Sequence, residues 1–283
     1  MTSESSPVKY LYRYQQIDKL FLRSLKKSYQ WFSNPLTFND PYDCNLNRGL
    51  LLEHDKGLMF QHYKSYNNEL KLNRSTFFSD RELMERVEEM YNDSDALYKR
   101  VYDAIKKHIQ ELGICCFSKS DDILLMWSHY SDKHSGICLK FDVDKDPDFF
   151  FVLYEVVYSK EFPIYNYYQD VKQKGYRGPT RLRYHSIATK SSDWVYEEEV
   201  RVVKDVSHGK YRGEIGFKKE ALVEVVFGYN TKEKDINSVI DLLRKNNYTA
   251  SFYKMKLKEN DYGLIKEPYI YHQPKSFFKK LFP

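Results

Sequence analysis

The chain has 283 residues, enough for one large domain or two small ones. Its 42% hydrophobic and 30% charged residues are ordinary for a globular protein, and a formal net charge of +5 argues against a protein that coats DNA while leaving room for a small anionic ligand. Aromatics reach 17%, with 26 Tyr and 18 Phe, a bias that AT-rich coding produces and that also suits wet clefts and planar ligands.

Residues 1–7 are polar, lack the apolar core of a signal peptide and read as a frayed tail. No run approaches the roughly 18 apolar residues of a membrane span. Cys44, Cys115, Cys116 and Cys138 form no C-x-x-C pattern and three lie in or beside apolar runs. Free thiols in a reducing, cytoplasmic setting are expected.

Along the chain, Tyr10-Leu-Tyr-Arg-Tyr14 predicts a strand, Gln16 to Ser24 a helix, and Tyr29-Gln-Trp-Phe-Ser33 a second strand halted by Asn34-Pro35. Residues 50–112 predict a helical insertion, with a capping box at Ser79 and Glu82 and an apolar stripe of Leu97, Val101, Ile105, Ile109 and Leu112. Strands follow at Ile114–Ser118, Gly136–Asp142 and Phe149–Tyr158, with a short helix from Asp121 to Tyr130. Residues 159–193, rich in Tyr, Gly, Pro and basic residues, read as a lid or binding loop. Strands at Val195–Val203 and Leu222–Tyr229, a helix capped by Thr231, a last strand at Ser251–Leu257 and a basic, amphipathic docking tail at 270–283 complete the chain. Helices and strands are segregated, no linker divides them, and neither G-x-G-x-x-G nor a P-loop occurs. One α+β domain with a mixed or antiparallel β core and a helical insertion is expected over 1–283.

Four motifs carry candidate chemistry. In Trp194-Val-Tyr-Glu-Glu-Glu-Val-Arg201, strand alternation puts Glu197, Glu199 and Arg201 on one face and Trp194 and Tyr196 on the other, buried one. This is either a positioned carboxylate pair fixed by Arg201 or a solvated edge. Asn39-Asp-Pro-Tyr-Asp43 is a rigid turn, with or without a functional role. Met126-Trp-Ser-His-Tyr130 offers His129 as a proton-transfer group or a structural histidine. Arg13, between Tyr12 and Tyr14, faces a cleft or needs a buried partner, and is a candidate for holding phosphate or carboxylate.

Together with Phe32-Ser-Asn-Pro35, Phe38, Cys116-Phe-Ser118, Gly136-Ile-Cys138 and Lys190, these motifs resemble a bacterial family, the domain-of-unknown-function family numbered twenty-nine seventy-one, over about residues 10–230. The opening is also similar to that of ADP-ribosyltransferases. That similarity implies an ADP-ribosyltransferase-like fold and NAD as substrate without a metal. Arg13 on the first strand and Ser33 on the second would hold the dinucleotide, with Asn39, Asp40, Tyr130 and Arg201 beside it. Glu197-Glu-Glu199 supplies the E-x-E pair. Glu199 would stabilise the oxocarbenium-like ribose and Glu197 would position the acceptor nucleophile, with His129 a further catalytic candidate. Arg181 and Arg183 would bind a nucleic-acid or protein target, as in a bacterial toxin or phage-defence effector. Two departures stand out: Phe32-Ser-Asn34 replaces the usual Ser-Thr-Ser, and the helical insertion is long. The alternatives are a metal-dependent nuclease using Asp40, Asp43, Glu197 and Glu199 with help from Lys190, and a nucleic-acid-binding module that stacks bases on the Tyr-rich segment 154–184.

Overall fold

The computed structural model describes residues 8–44, 56–72, 77–162, 186–205 and 213–271. Arg181, Arg183, most of the expected lid and nearly all of the C-terminal tail lie outside them. The chain opens with β1 (Tyr10–Gln15), α1 (Lys19–Lys27) and β2 (Tyr29–Trp31), then enters a helical block of α2 (Lys56–Leu72), α3 (Asp80–Asn92) and α4 (Ser94–Gln110). Next come β3 (Leu112–Ser118), α5 (Leu124–Tyr130), β4 (Ile137–Asp142), β5 (Leu153–Glu155) and β6 (Val157–Ser159). The remainder is β7 (Thr189–Ser191), β8 (Glu199–Asp205), β9 (Glu214–Gly216), β10 (Leu222–Phe227), α6 (Glu233–Lys245), β11 (Ser251–Leu257) and β12 (Leu264–Pro268).

Eight strands form one sheet in the order β12-β11-β10-β4-β1-β3-β8-β5. Every neighbouring pair is antiparallel except β10 and β11, whose parallel pairing uses α6 as its crossover. The expected α+β class with a mixed sheet and a helical insertion is what the chain adopts. The capping box also forms: Ser79 N–H donates to Glu82 Oε2 at 2.8 Å and Glu82 N–H to Ser79 Oγ at 3.3 Å.

Strand alternation sorts the core. Leu11, Leu139, Phe141, Phe117, Val200, Val202 and Val225 point to one face, where α1 supplies Phe21 and Leu25 and α6 supplies Ile236, Val239, Ile240 and Leu243. Asp18 starts α1 by accepting Phe21 N–H at 2.7 Å. The other face carries two smaller clusters. One gathers Tyr14, Cys138 and Val226 with Met126 and Trp127 of α5; the other gathers Leu112, Ile114, Val203, Ile109 and Cys44. Between them β1 and β3 part, for their register is a single pair, Tyr12 with Ser118. Ser33 bridges to Ile114 instead, exchanging two hydrogen bonds of 2.9 Å. A cleft opens in this gap.

Four local expectations are corrected. Phe149–Tyr158 is not one strand: Asp146 accepts the N–H groups of Phe149 at 3.2 Å and Lys218 at 2.7 Å, holding a turn that buries Phe149 and Phe150 before β5 begins. Val195–Val203 starts late, because Ser192–Glu197 is a 3₁₀ helix and Trp194 and Tyr196 are only partly buried. Thr231 does not cap α6; its hydroxyl donates to Gly136 O at 2.8 Å, and Lys232 occupies the cap. Ser251–Leu257 is followed by one more strand, β12, which makes the sheet edge. The thiols of Cys44, Cys115 and Cys138 are free and buried, as expected, and Cys116 is partly exposed.

Gly136 sets the spacing of α5 and β1 beside the cleft. A Cβ there would sit 2.7 Å from Ser131 Oγ and 2.9 Å from Ser131 O, and would also strike Gln15 O. Gly136→Ala is expected to lower stability by about 1–3 kcal/mol in denaturant unfolding. Gly216→Ala, whose Cβ would meet Ser28 O at an ordinary 3.7 Å, is expected to change it little. Equal effects would contradict this packing account.

Candidate functional site

The cleft encloses about 280 Å³ and is lined by Arg13, Ser33, Asn39, Asp43, Tyr130, Lys190, Glu197 and Glu199, among others. Its floor is a buried ion network. Arg201, fully buried on β8, grips Glu199 two residues earlier on the same face, with Nε to Oε1 at 2.8 Å and Nη2 to Oε2 at 3.0 Å. Nη2 also donates to Asp43 Oδ2 at 2.6 Å, and Nη1 to Ile187 O at 2.7 Å and Cys44 Sγ at 3.2 Å. The Asn39–Asp43 turn serves this contact: Asp40 Oδ1 accepts Tyr42 N–H at 2.9 Å and Asp40 O accepts Asp43 N–H at 3.1 Å.

Glu198 adopts the left-handed conformation, with φ 46°, between the 3₁₀ helix and β8. Glu197 and Glu199 therefore meet at one cation, although they do not share an uninterrupted strand. Lys190 Nζ lies 2.5 Å from Glu197 Oε2, 3.2 Å from Glu199 Oε2 and 3.6 Å from Asp43 Oδ2. The parallel pairing of Tyr158 with Lys190 between β6 and β7 positions it, and the Tyr158 hydroxyl accepts Glu199 N–H at 2.8 Å. Tyr130, at the end of α5, donates to Glu197 Oε1 at 2.6 Å and is hydrogen-bonded by Asn39.

The two glutamates are electrostatically distinct. Burial would raise the Glu199 carboxyl, but Arg201 and Lys190 overcome it and hold the group down at about 2. Burial raises Glu197 above the usual carboxylate range, and its contacts with Lys190 and Tyr130 offset this only in part. Burial would likewise lower Lys190, yet Glu199, Glu197 and Asp43 raise it. The network holds three carboxylates, Asp43, Glu197 and Glu199, against two cations, Lys190 and Arg201, and so carries surplus negative charge.

Arg13 differs. It reaches into the gap between β1 and β3, with its guanidinium 5.7 Å from the Phe117 ring centre, donating to Cys115 Sγ and, at 3.3 Å, to Trp31 O. Among the described residues no carboxylate pairs with it, and burial lowers its pKa to about 10.

The structure thus brings Arg13, Ser33, Asn39, Tyr130, Glu197 and Glu199 to one cleft, with Arg201 beneath it. His129 is exposed, 6.1 Å from the Tyr196 ring, and does not line it. Asp40 is buried outside the lining, and among the described residues its Oδ2 has no hydrogen-bond partner. Lys190 is the residue whose weight the sequence understated: it joins Glu197 and Glu199, seven and nine residues on, to Asp43 far earlier in the chain, and the 3₁₀ helix that brings the glutamates back to it was not expected. Among the described residues no group of three or more His, Cys, Asp and Glu could hold a metal ion. Asp43, Glu197 and Glu199 are bonded to Lys190 or Arg201 rather than left open as ligands.

Residues 126–202 match the model of a family described as a protein of unknown function (DUF2971). The matched span runs from α5 through Lys190 and both glutamates to Arg201 on β8, in agreement with the family resemblance read from the motifs. No curated protein and no solved structure matches the chain. No helix among the described residues is long and apolar enough to cross a membrane.

Glu199→Gln leaves a fully buried guanidinium underpaired and is expected to cost about 3–5 kcal/mol near neutral pH. Because the folded pKa of Glu199 is depressed, its contribution is complete above the unfolded value and is lost as pH falls toward about 2. Denaturant unfolding between about pH 7 and about pH 3 is expected to show a shallower pH dependence for the variant than for the wild type. Parallel curves would contradict the assignment.

Proposed function

We propose that the cleft engages the nicotinamide ribose and pyrophosphate of a nicotinamide dinucleotide and that its residues transfer the ADP-ribose to an acceptor. The observation that carries this reading is the charge layout: on the β1 side an arginine that no carboxylate among the described residues pairs, and surplus carboxylate on the β8 side. A dinucleotide with an anionic pyrophosphate and a cationic pyridinium has the complementary pattern. Arg13 takes the pyrophosphate, as a forked, permanently charged donor suits. Ser33 and Asn39 add polar contacts along the same wall.

In the reaction the bond from the ribose anomeric carbon to the pyridinium nitrogen breaks, and its electron pair neutralises the nicotinamide. Positive charge develops on the ribose. A carboxylate held close by in a water-poor site stabilises that charge without reorganising. The acceptor's nucleophilic atom then bonds to the anomeric carbon and its proton passes to a base. The geometry favours Glu197 for the charge-stabilising role. Glu199 is engaged on both oxygens by Arg201 and also by Lys190, whereas Glu197 is held by one lysine and a tyrosine hydroxyl at the cleft wall. Lys190 keeps both carboxylates in place, and Tyr130 orients Glu197.

Nicotinamide release from NAD, measured with a chelator present, tests the reading. Glu197→Gln is expected to lower it on the order of 10²–10³-fold while the protein stays folded. Release that survives the substitution would refute the role of Glu197. The active form is the carboxylate, whose pKa is raised, so turnover is expected to fall with decreasing pH at a value above the usual carboxylate range. Arg13→Gln is expected to weaken calorimetric binding of NAD by about tenfold or more, with smaller loss of nicotinamide binding.

A further inference from the structure

A cleft of about 280 Å³ lies below the usual range of small-molecule sites, roughly 300–1,000 Å³, and is too small for a whole dinucleotide. A hollow of about 670 Å³ adjoins it, and Gln15 and Tyr130 line both. The hollow lies between α1, β2 and α5, and three of its features point to a planar base.

Trp31 is 51% exposed on its wall. The indole packs against the backbone of Gly213, whose φ of +101° and lack of a side chain allow that approach; a Cβ there would strike the ring. One side of the ring is thus fixed and the rest stands open, a stacking platform that needs no ordering on binding. Among the described residues Gln15 Oε1 accepts no hydrogen bond, and its amide can turn about a soft torsion toward a donor in either space. The cation at the hollow's rim, Arg23, is already paired with Glu214 at 2.6 Å, so the hollow offers a base more than a phosphate. Arg13 marks the junction: it lines the cleft and donates to Trp31 O.

We infer that this hollow holds the purine of the dinucleotide, stacked on Trp31 with its exocyclic amine donated to Gln15, while the pyrophosphate lies at Arg13 on the way into the cleft. The inference rests on the dinucleotide reading of the cleft, and separates the site into a purine half under Trp31 and a nicotinamide half under Glu197.

Calorimetric titration with AMP and with nicotinamide mononucleotide tests the two halves apart. AMP is expected to bind the wild type, to bind Trp31→Ala about tenfold more weakly or worse, and to recover within a few-fold in Trp31→Phe, which keeps an aromatic face. Nicotinamide mononucleotide is expected to bind all three proteins alike. AMP that fails to bind the wild type, or binds Trp31→Ala equally well, overturns the inference. Nicotinamide mononucleotide that fails to bind the wild type, while AMP binds and responds to Trp31, sinks the nicotinamide reading of the cleft and leaves the hollow as a purine site. Trp31 is half exposed, so its replacement spares the core, and unfolding curves of the three proteins verify that.

Discussion

Burying a guanidinium completely is costly unless every donor finds an acceptor, and Arg201 meets that condition with partners from three parts of the chain. Glu199 comes from its own strand, Asp43 from the Asn39–Asp43 turn, Ile187 O from the stretch before β7, and Cys44 from the end of the turn. Neutralising Arg201 draws the turn against the sheet and places Glu199 under the cleft. Lys190 then joins Glu199 to Glu197 and Asp43, so the carboxylate at the cleft wall is positioned by a charge that never reaches it. The surplus carboxylate follows from this arrangement, and the burial of Glu197 within it raises that carboxyl's pKa despite Lys190.

Much of the fold was legible because local rules and tertiary packing agree. The capping box of α3, the apolar face of α6 and the strand at β3 each follow from periodicity or cap chemistry. The site was legible in composition but not in mechanism of assembly. Alternation along 194–201 put Glu197, Glu199 and Arg201 on one side, and they do converge, yet through a left-handed Glu198 and a 3₁₀ helix rather than a regular strand. Alternation holds only where a strand is unbroken, so Trp194 and Tyr196 are not the buried counterface it implied. His129 was singled out for its titration range, but the face of α5 that packs on the sheet carries Met126 and Trp127 and leaves His129 in solvent. Lys190 was marked only by the family resemblance and as a helper in the nuclease alternative; its place at the centre of the network was not legible, because its three carboxylate partners come from the 39–43 turn, the 3₁₀ helix and β8.

The gap between β1 and β3 gives the site its chemical asymmetry. A sheet fully paired there would leave no space beside Phe117, and Arg13 would be sealed in the core on the face of Leu11. Because Ser33 takes over the pairing at Ile114, the gap stays open as a cleft, and among the described residues no carboxylate pairs with Arg13. On the other wall the balance is reversed. Opposite surpluses within one small cleft favour a ligand carrying both signs of charge and disfavour simple anions or cations.

A crystal structure of Glu197→Gln soaked with NAD tests the central claim most directly, since the variant is designed to bind without turning over. The account predicts the nicotinamide ribose in the cleft with its anomeric carbon beside residue 197 and Tyr130, and the pyrophosphate on Arg13. A dinucleotide seated away from Arg13, or with its ribose remote from residue 197, would contradict it.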